Sequence, residues 1–267
     1  MKSNSRKNSR KLRSRNKKYL TKFSKHWLDA VDLKDMAVLA DSTVGPGIPA
    51  PGIINGIYAN ISTNYGWVND DIDGESVFNA SAAWIMVAYP DAGGVLGADA
   101  YIQIGYCSAI GLDPISGDDF PDVTNCLLIE IADPLVGDWT GYYPEYAPSD
   151  GDDIDYAIVC DTSGASHPQG MLWDLYADTF DGEIIVSMPT FFTFPPFYCF
   201  LCGESKGSAN LPGTSDDPVY ISDCQWWVTG TDDMGNPYSY VEDIPLVADP
   251  SDANAYVDEW GNVVISN

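Results

Sequence analysis

From residue 57 onward, short apolar runs alternate with polar positions and are cut at intervals by Gly, Pro, Asn and Asp. Alternation of period two is clearest in Tyr101-Ile102-Gln103-Ile104-Gly105-Tyr106 and in Ile154-Asp155-Tyr156-Ala157-Ile158-Val159. A period of two puts successive side chains on opposite faces of a strand, so each run reads as one half-buried strand. Strands are predicted over 57–63, 77–89, 100–107, 126–132, 154–160, 171–177, 183–188, 198–202, 219–229, 238–241 and 263–266. Turn clusters at 90–94, 181–182, 233–237 and 261–262 separate several of them. No helical period follows residue 40. Many short strands with regular turns predict an all-β fold, two sheets packed face to face as a sandwich or jelly roll.

Ahead of this body the pattern changes. Apolar residues Leu20, Phe23, Trp27, Val31 and Leu39 recur near helical spacing, which predicts a short amphipathic helix. Residues 41–56 are rich in Gly and Pro and read as a linker. The division is therefore a basic arm over 1–40, a linker over 41–56 and a sandwich over 57–267.

Charge sharpens that division. Twelve of the 13 Lys and Arg stand before residue 35, while Lys206 is the single base after it. Residues 1–34 carry about +10 and residues 35–267 about −36. A body so poor in cations is a weak nucleic-acid ligand, because each phosphate contact calls for a positive group. The arm is the opposite case: Arg6, Lys7, Arg10, Lys11, Arg13, Arg15, Lys17 and Lys18 form a cluster suited to nucleic acid or an acidic partner. An organelle presequence and a solvated tail share this composition. The segment lacks the apolar core of a secretory signal, and no stretch approaches the length of a membrane span.

Chemistry is bounded by what the body lacks. His167 is its only histidine, which leaves little room for His-based catalysis or metal binding. Cys199 and Cys202 are the only Cys-x-x-Cys pair among six cysteines, half of a zinc set at most, so disulfides or buried thiols are the expectation. Asn69, Asp71 and Asp73 place oxygen ligands at alternate positions before Gly74. That matches the first half of a calcium loop, but Ala80 stands where the closing Glu belongs, and a solvated acidic turn fits as well. No other cofactor is implied. Trp139, Tyr142, Tyr143 and Glu145, with Trp226 and Trp227, offer rings and a carboxylate for a peptide or glycan groove. Adjacent Trp226 and Trp227 must face opposite sides of a strand, so one of them belongs to the core.

Several of these segments resemble the glutamic peptidases (eqolisins), acid-acting endopeptidases with a concanavalin-like sandwich. Ser81-Ala82-Ala83-Trp84 is similar to that family's SAWVGI strand, and Tyr101-Ile102-Gln103-Ile104-Gly105 to its ILQTG strand. Tyr142-Tyr143-Pro144-Glu145-Tyr146 is similar to WYPDY, Gly151-Asp152-Asp153-Ile154 to the GDSI turn, and Cys224-Gln225-Trp226 to the AEWIV strand. The resemblance spans roughly 57–245 and needs an insertion over 108–125. It implies a concanavalin-like fold, a substrate groove that includes Trp84, and a catalytic pair at Gln103 and position 225.

Position 225 is the departure. The family places a Glu there, and an amide cannot act as a general base at ordinary pH. A site built on Gln103 and Gln225 therefore reads as retired or repurposed, binding peptide or glycan, unless a nearby acid such as Asp223 or Glu130 substitutes. An active site requires a carboxyl group within hydrogen-bond reach of Gln103. The alternative is a structural protein, capsid-like or filamentous, whose arm binds nucleic acid or a neighbouring subunit in a homo-oligomer. Both readings favour an extracellular, cell-surface or virion setting.

Overall fold

The computed structural model describes residues 43–44, 47–69, 78–88, 101–113, 117–132, 139–161, 171–179, 182–190, 198–231, 234–246 and 254–267. The arm and its expected helix lie outside these residues. In chain order the strands are β1 (Thr43–Val44), β2 (Gly47–Pro49), β3 (Ile53–Ser62), β4 (Asn79–Ala88), β5 (Tyr101–Leu112), β6 (Asp119–Ala132) and β7 (Trp139–Tyr143). There follow β8 (Asp153–Asp161), β9 (Met171–Thr179), β10 (Gly182–Thr190), β11 (Tyr198–Lys206), β12 (Val219–Thr231), β13 (Pro237–Asp243), β14 (Ala255–Val257) and β15 (Val263–Ile265). One 3-10 turn, Pro144–Tyr146, is the only helical element among the described residues.

The strands form two antiparallel sheets. A seven-stranded sheet runs β1-β11-β4-β5-β6-β7, with β2 also on β11. An eight-stranded sheet runs β10-β9-β8-β3-β12-β15-β14, with β13 also on β12. Alternate residues of each sheet fill the space between them. Ile54, Ile57, Ala59 and Ile61 of β3 and Trp226 and Val228 of β12 meet Ile85 and Val87 of β4, Ile102, Ile104 and Tyr106 of β5, and Leu127 and Ile129 of β6 in one buried cluster. Fully burying such a side chain stabilises the fold by about 1.5–3 kcal/mol, and this cluster is the main source of cohesion. The two-sheet, all-β sandwich expected from the alternation is the architecture observed.

The predicted strands are all present, several of them longer than predicted. The segment over which the resemblance needs an insertion carries β5 on to Leu112 and starts β6 at Asp119, with Gly111 opposite Phe120 and Leu112 opposite Asp119. Its outer end is exposed and acidic, which hid the alternation. The segment read as a Gly/Pro linker supplies β1 and β2, which pair with β11. The boundary drawn at Gly56 falls inside β3, and a Cβ there would lie 2.4 Å from the Trp227 ring.

β4 is buried along its whole length, so neighbours on both sides press close. Gly105 of β5 stands opposite Trp84 of β4. A Cβ on Gly105 would fall 2.0 Å from the Ala83 carbonyl oxygen and 2.6 Å from the Trp84 Cα. Neither backbone atom can yield without parting the strands. Gly105→Ala is expected to cost about 3 kcal/mol, the upper end of ordinary overpacking. Urea unfolding at constant slope would register it as a lower midpoint.

Candidate active site

Gln103 sits between Ile102 and Ile104, which point into the core, so its own side chain emerges on the outer face of the seven-stranded sheet. Directly opposite on β6 stands Glu130, flanked in the same way by the core residues Ile129 and Ile131. The Gln103 amide nitrogen donates to Glu130 Oε2 at 2.9 Å. The Tyr101 hydroxyl donates to Glu130 Oε1. Gln103 and Glu130 are both 3% exposed, so the pair has little water around it. One strand further, Thr140 of β7 lies opposite Glu130. Its buried hydroxyl has no hydrogen-bond partner among the described residues. Amide, carboxyl and hydroxyl thus form a row across three strands.

A second polar group lies beside this row. Trp84 Nε1 donates to Glu204 Oε2 at 2.9 Å, and Lys206 Nζ stands 3.5 Å from Glu204 Oε1. Tyr142 donates its hydroxyl to Asp113 Oδ2 at 3.1 Å and meets Phe78 and Phe120 edge to face, at 6.2 and 5.0 Å between ring centroids. Between the two groups lies a small pocket of about 10 Å³, the room of about one water molecule. Its walls are Phe78, Tyr142, Leu128 and Cys107, its small side chains are Ala80 and Ala82, and its charged groups are Glu130, Glu204 and Lys206.

Burial pushes the Glu130 carboxyl above the ordinary range; Lys206 and the Tyr101 hydrogen bond draw it partly back, while Glu204 and Asp113 push it further up. Burial alone would lower Lys206, but the carboxylates of Glu204, Glu130 and Asp113 outweigh it and hold the ammonium charged. The uncharged form of Glu130 therefore favours folding. Its contribution is complete below the unfolded value, near 4.5, and is lost as pH rises through the higher folded value. Glu130→Gln should consequently raise Tm by a few degrees over the native chain at pH 7, and by nothing below about pH 4. Thermal unfolding of both proteins at the two pH values checks this.

The expected catalytic partners do not meet. Gln225 belongs to β12 in the other sheet, where Cys224 and Trp226 point into the core on either side of it. Its amide donates to Asp243 Oδ1 at 2.7 Å on the far outer face, so the whole core separates it from Gln103. Asp223 sits beside it at a bulge with φ 54, equally remote. The resemblance of residues 224–228 to a family strand rested on a few adjacent letters, which carry no information about the sheet a strand joins.

The aromatic candidates divide among three places. Trp84 and Tyr142 lie on the Gln103 face. Trp226 is core, fully buried, with Nε1 donating to Glu242 Oε1 at 3.0 Å. Trp227 packs with Tyr58, Ala157 and Tyr176 on the outer face of the eight-stranded sheet. Tyr143 leans on the core cluster from the edge strand β7, and Trp139 stands half-exposed beside it. Glu145 is exposed in the 3-10 turn. These residues do not line one groove.

The metal readings fare differently. Cys199 and Cys202, three apart in β11, point to opposite faces, Cys199 into the core and Cys202 outward, so they cannot share one ion. All six cysteines are buried, and none is joined in a disulfide. Of the calcium candidates, Asn69 accepts a hydrogen bond from the Asn79 amide on its backbone oxygen at 3.4 Å. Asp71 and Asp73 lie outside the described residues, as do Arg6, Lys7, Arg10, Lys11, Arg13, Arg15, Lys17 and Lys18 of the arm. Among the described residues no helix is long and apolar enough to cross a membrane.

Sequence reasoning missed Tyr101, Thr140, Glu204 and Lys206 as site residues. Lys206 carried a signal, since it is the only base in the body.

No protein-family model matches the chain, and no curated protein matches it. Among solved structures it is similar to SCP-B, described as a member of the eqolisin family of peptidases, in complex with the tripeptide Ala-Ile-His. The identity is 14%, the TM-score 0.44, and the match covers 84% of this chain and 96% of that one. An overlap of that size says nothing about chemistry. The chain is an all-β sandwich with a structural neighbour among the eqolisins.

Proposed function

We propose that this chain is an acid-range peptide hydrolase working from the outer face of the seven-stranded sheet, with Glu130 and Gln103 as its reacting groups. The observation that carries the reading is the 2.9 Å hydrogen bond between these two buried side chains at the edge of a solvent-reaching pocket. The resemblance of the Gln103 strand, the Trp84 strand and the Tyr142–Tyr146 segment to glutamic peptidases supports it. The amide at position 225 no longer argues for a retired site, because that residue stands on the opposite face.

The chemistry follows from the row of groups. Glu130, ionised, takes a proton from a water held between its carboxylate and the Thr140 hydroxyl. The resulting hydroxide attacks the carbonyl carbon of the peptide bond. The Gln103 amide turns from Glu130 to the developing oxyanion and stabilises it by hydrogen bonding. Glu130 then returns the proton to the leaving amine, and the C–N bond breaks. An extended peptide would lie along this face, its scissile carbonyl beside Glu130 and its neighbouring residue against Phe78 and Tyr142 at the pocket rim.

Cleavage of an unfolded protein between about pH 2 and 7, the range set by carboxyl groups, tests the reading. The native chain should cleave and Gln103→Ala should not. A native chain silent over that range would end it.

A further inference from the structure

On the same face, between the candidate site and the far end of the β5–β6 hairpin, two cysteines stand opposite each other. Cys107 of β5 and Cys126 of β6 are register partners. Both belong to the same buried cluster on the outer face, where the Cys126 thiol donates to the Thr124 carbonyl at 3.8 Å. Directly opposed residues of antiparallel strands have Cα atoms about 4.5–5.5 Å apart, inside the roughly 4.4–6.8 Å window that a disulfide spans. In the ladders Cys160 stands opposite Trp173, Cys199 opposite Ile48 and Val87, and Cys202 opposite Trp84, so none of these faces a cysteine. Cys199 and Cys202 face opposite ways, and Cys199 and Cys224 belong to different sheets, so no ladder register sets them side by side.

We propose that Cys107 and Cys126 are a redox-modification site, closing a cross-strand disulfide that clamps the ladder carrying Gln103 and Glu130. The geometry makes the clamp specific. Gln103–Glu130, Gly105–Leu128 and Cys107–Cys126 are successive rungs on one face, so the bridge sits two rungs from the acid–amide pair. Cys107 also forms part of the pocket wall. The inference does not rest on the hydrolase reading, since it needs only the register and the thiols.

The step is a thiol–disulfide exchange with a low-molecular-weight disulfide such as oxidised glutathione. One protein thiolate attacks the external disulfide and expels one small thiol; the second protein thiolate attacks the mixed disulfide and expels the other. The two protein thiols lose two protons and two electrons in all, and the electrons reduce the external disulfide to two thiols. The neighbouring Cys126 thiol, and after it burial, hold the Cys107 thiol well up, so exchange is slow in the closed structure. It proceeds as the hairpin end opens, where the ladder shifts register between Ala109 and Gly111, or during folding in an oxidising medium.

The full chain is refolded with a mixture of oxidised and reduced glutathione, and in parallel with excess dithiol, then unfolded and alkylated. Mass spectrometry of the oxidised sample is expected to count four free thiols against six in the reduced one, with a single linked peptide pair containing Cys107 and Cys126. Cys107→Ser and Cys126→Ala should each keep their five thiols free. The oxidised native chain should melt roughly 5–10 °C above the reduced one, the scale for closing a loop of this length. Six free thiols after oxidation, or a bridge between other cysteines, would overturn the assignment. A bridge at the named pair with no rise in Tm would overturn the clamp.

Discussion

Glu130→Gln is expected to lower kcat by roughly 10²–10⁴, with little change in KM. The substitution keeps the length of the side chain and one acceptor oxygen for the Gln103 amide, while the new NH2 can donate to a reversed Tyr101 hydroxyl, and the proton acceptor is removed. What is lost is proton transfer alone, which belongs to the transition state and so falls on kcat. Gln103→Ala should cost roughly 10²–10³, the scale of a single oxyanion donor. The native pH profile carries a further mark. Because burial holds Glu130 above the ordinary range, the acid limb of kcat/KM should lie above that of a solvent-exposed glutamate. A Glu130→Gln protein that keeps native turnover would remove Glu130 from the reaction, whatever else remained active.

Trp226→Ala is expected to give the largest loss of stability of any aromatic substitution considered, about 3–5 kcal/mol. The indole is fully buried between the sheets, and its removal leaves a cavity and ends its hydrogen bond to Glu242. For a chain of this size about 2–4 °C of Tm accompanies each kcal/mol, so a fall of roughly 6–20 °C should follow. Turnover at a temperature where the variant stays folded should be close to native. Trp84 is the opposite case, since it stands on the site face and donates to Glu204. Thermal unfolding and a peptidase assay run on the same Trp226→Ala sample would separate a core role from the ligand-binding role suggested by its place in an aromatic cluster.

Much of the fold was legible because alternation is local. Runs such as Ile102–Ile104 and Ile154–Ile158 announce a buried and an outward face without reference to any other strand. The short strands β1 and β2 were not legible, because Gly and Pro masked segments that join a sheet through the backbone alone. β7 was read as a ligand groove, since its rings suggested recognition before they suggested an edge strand.

The site divides along the same line. Gln103 and Glu130 each break an apolar alternation, so each could be singled out from its own strand. Their meeting depends on a register between residues 27 apart, which no local pattern reports. Gln225 shows the cost of the reverse error. Cys224-Gln225-Trp226 looked right locally, but its strand pairs with β3, β13 and β15 rather than with any strand of the seven-stranded sheet. Glu204 and Lys206 come into play only because β11 lies beside β4 and turns its outer face toward the pocket.

The central claim is that Gln103 and Glu130 act as one unit, and a double-mutant cycle on turnover tests it most directly. Rates of peptide cleavage at the acid optimum would be measured for the native chain, Gln103→Ala, Glu130→Gln and the double variant. The account predicts an active native chain and a double variant about as slow as the slower single one, because once either group is lost the other has no transition state to serve. Losses that multiply independently, or a native chain no faster than the double variant, would contradict it.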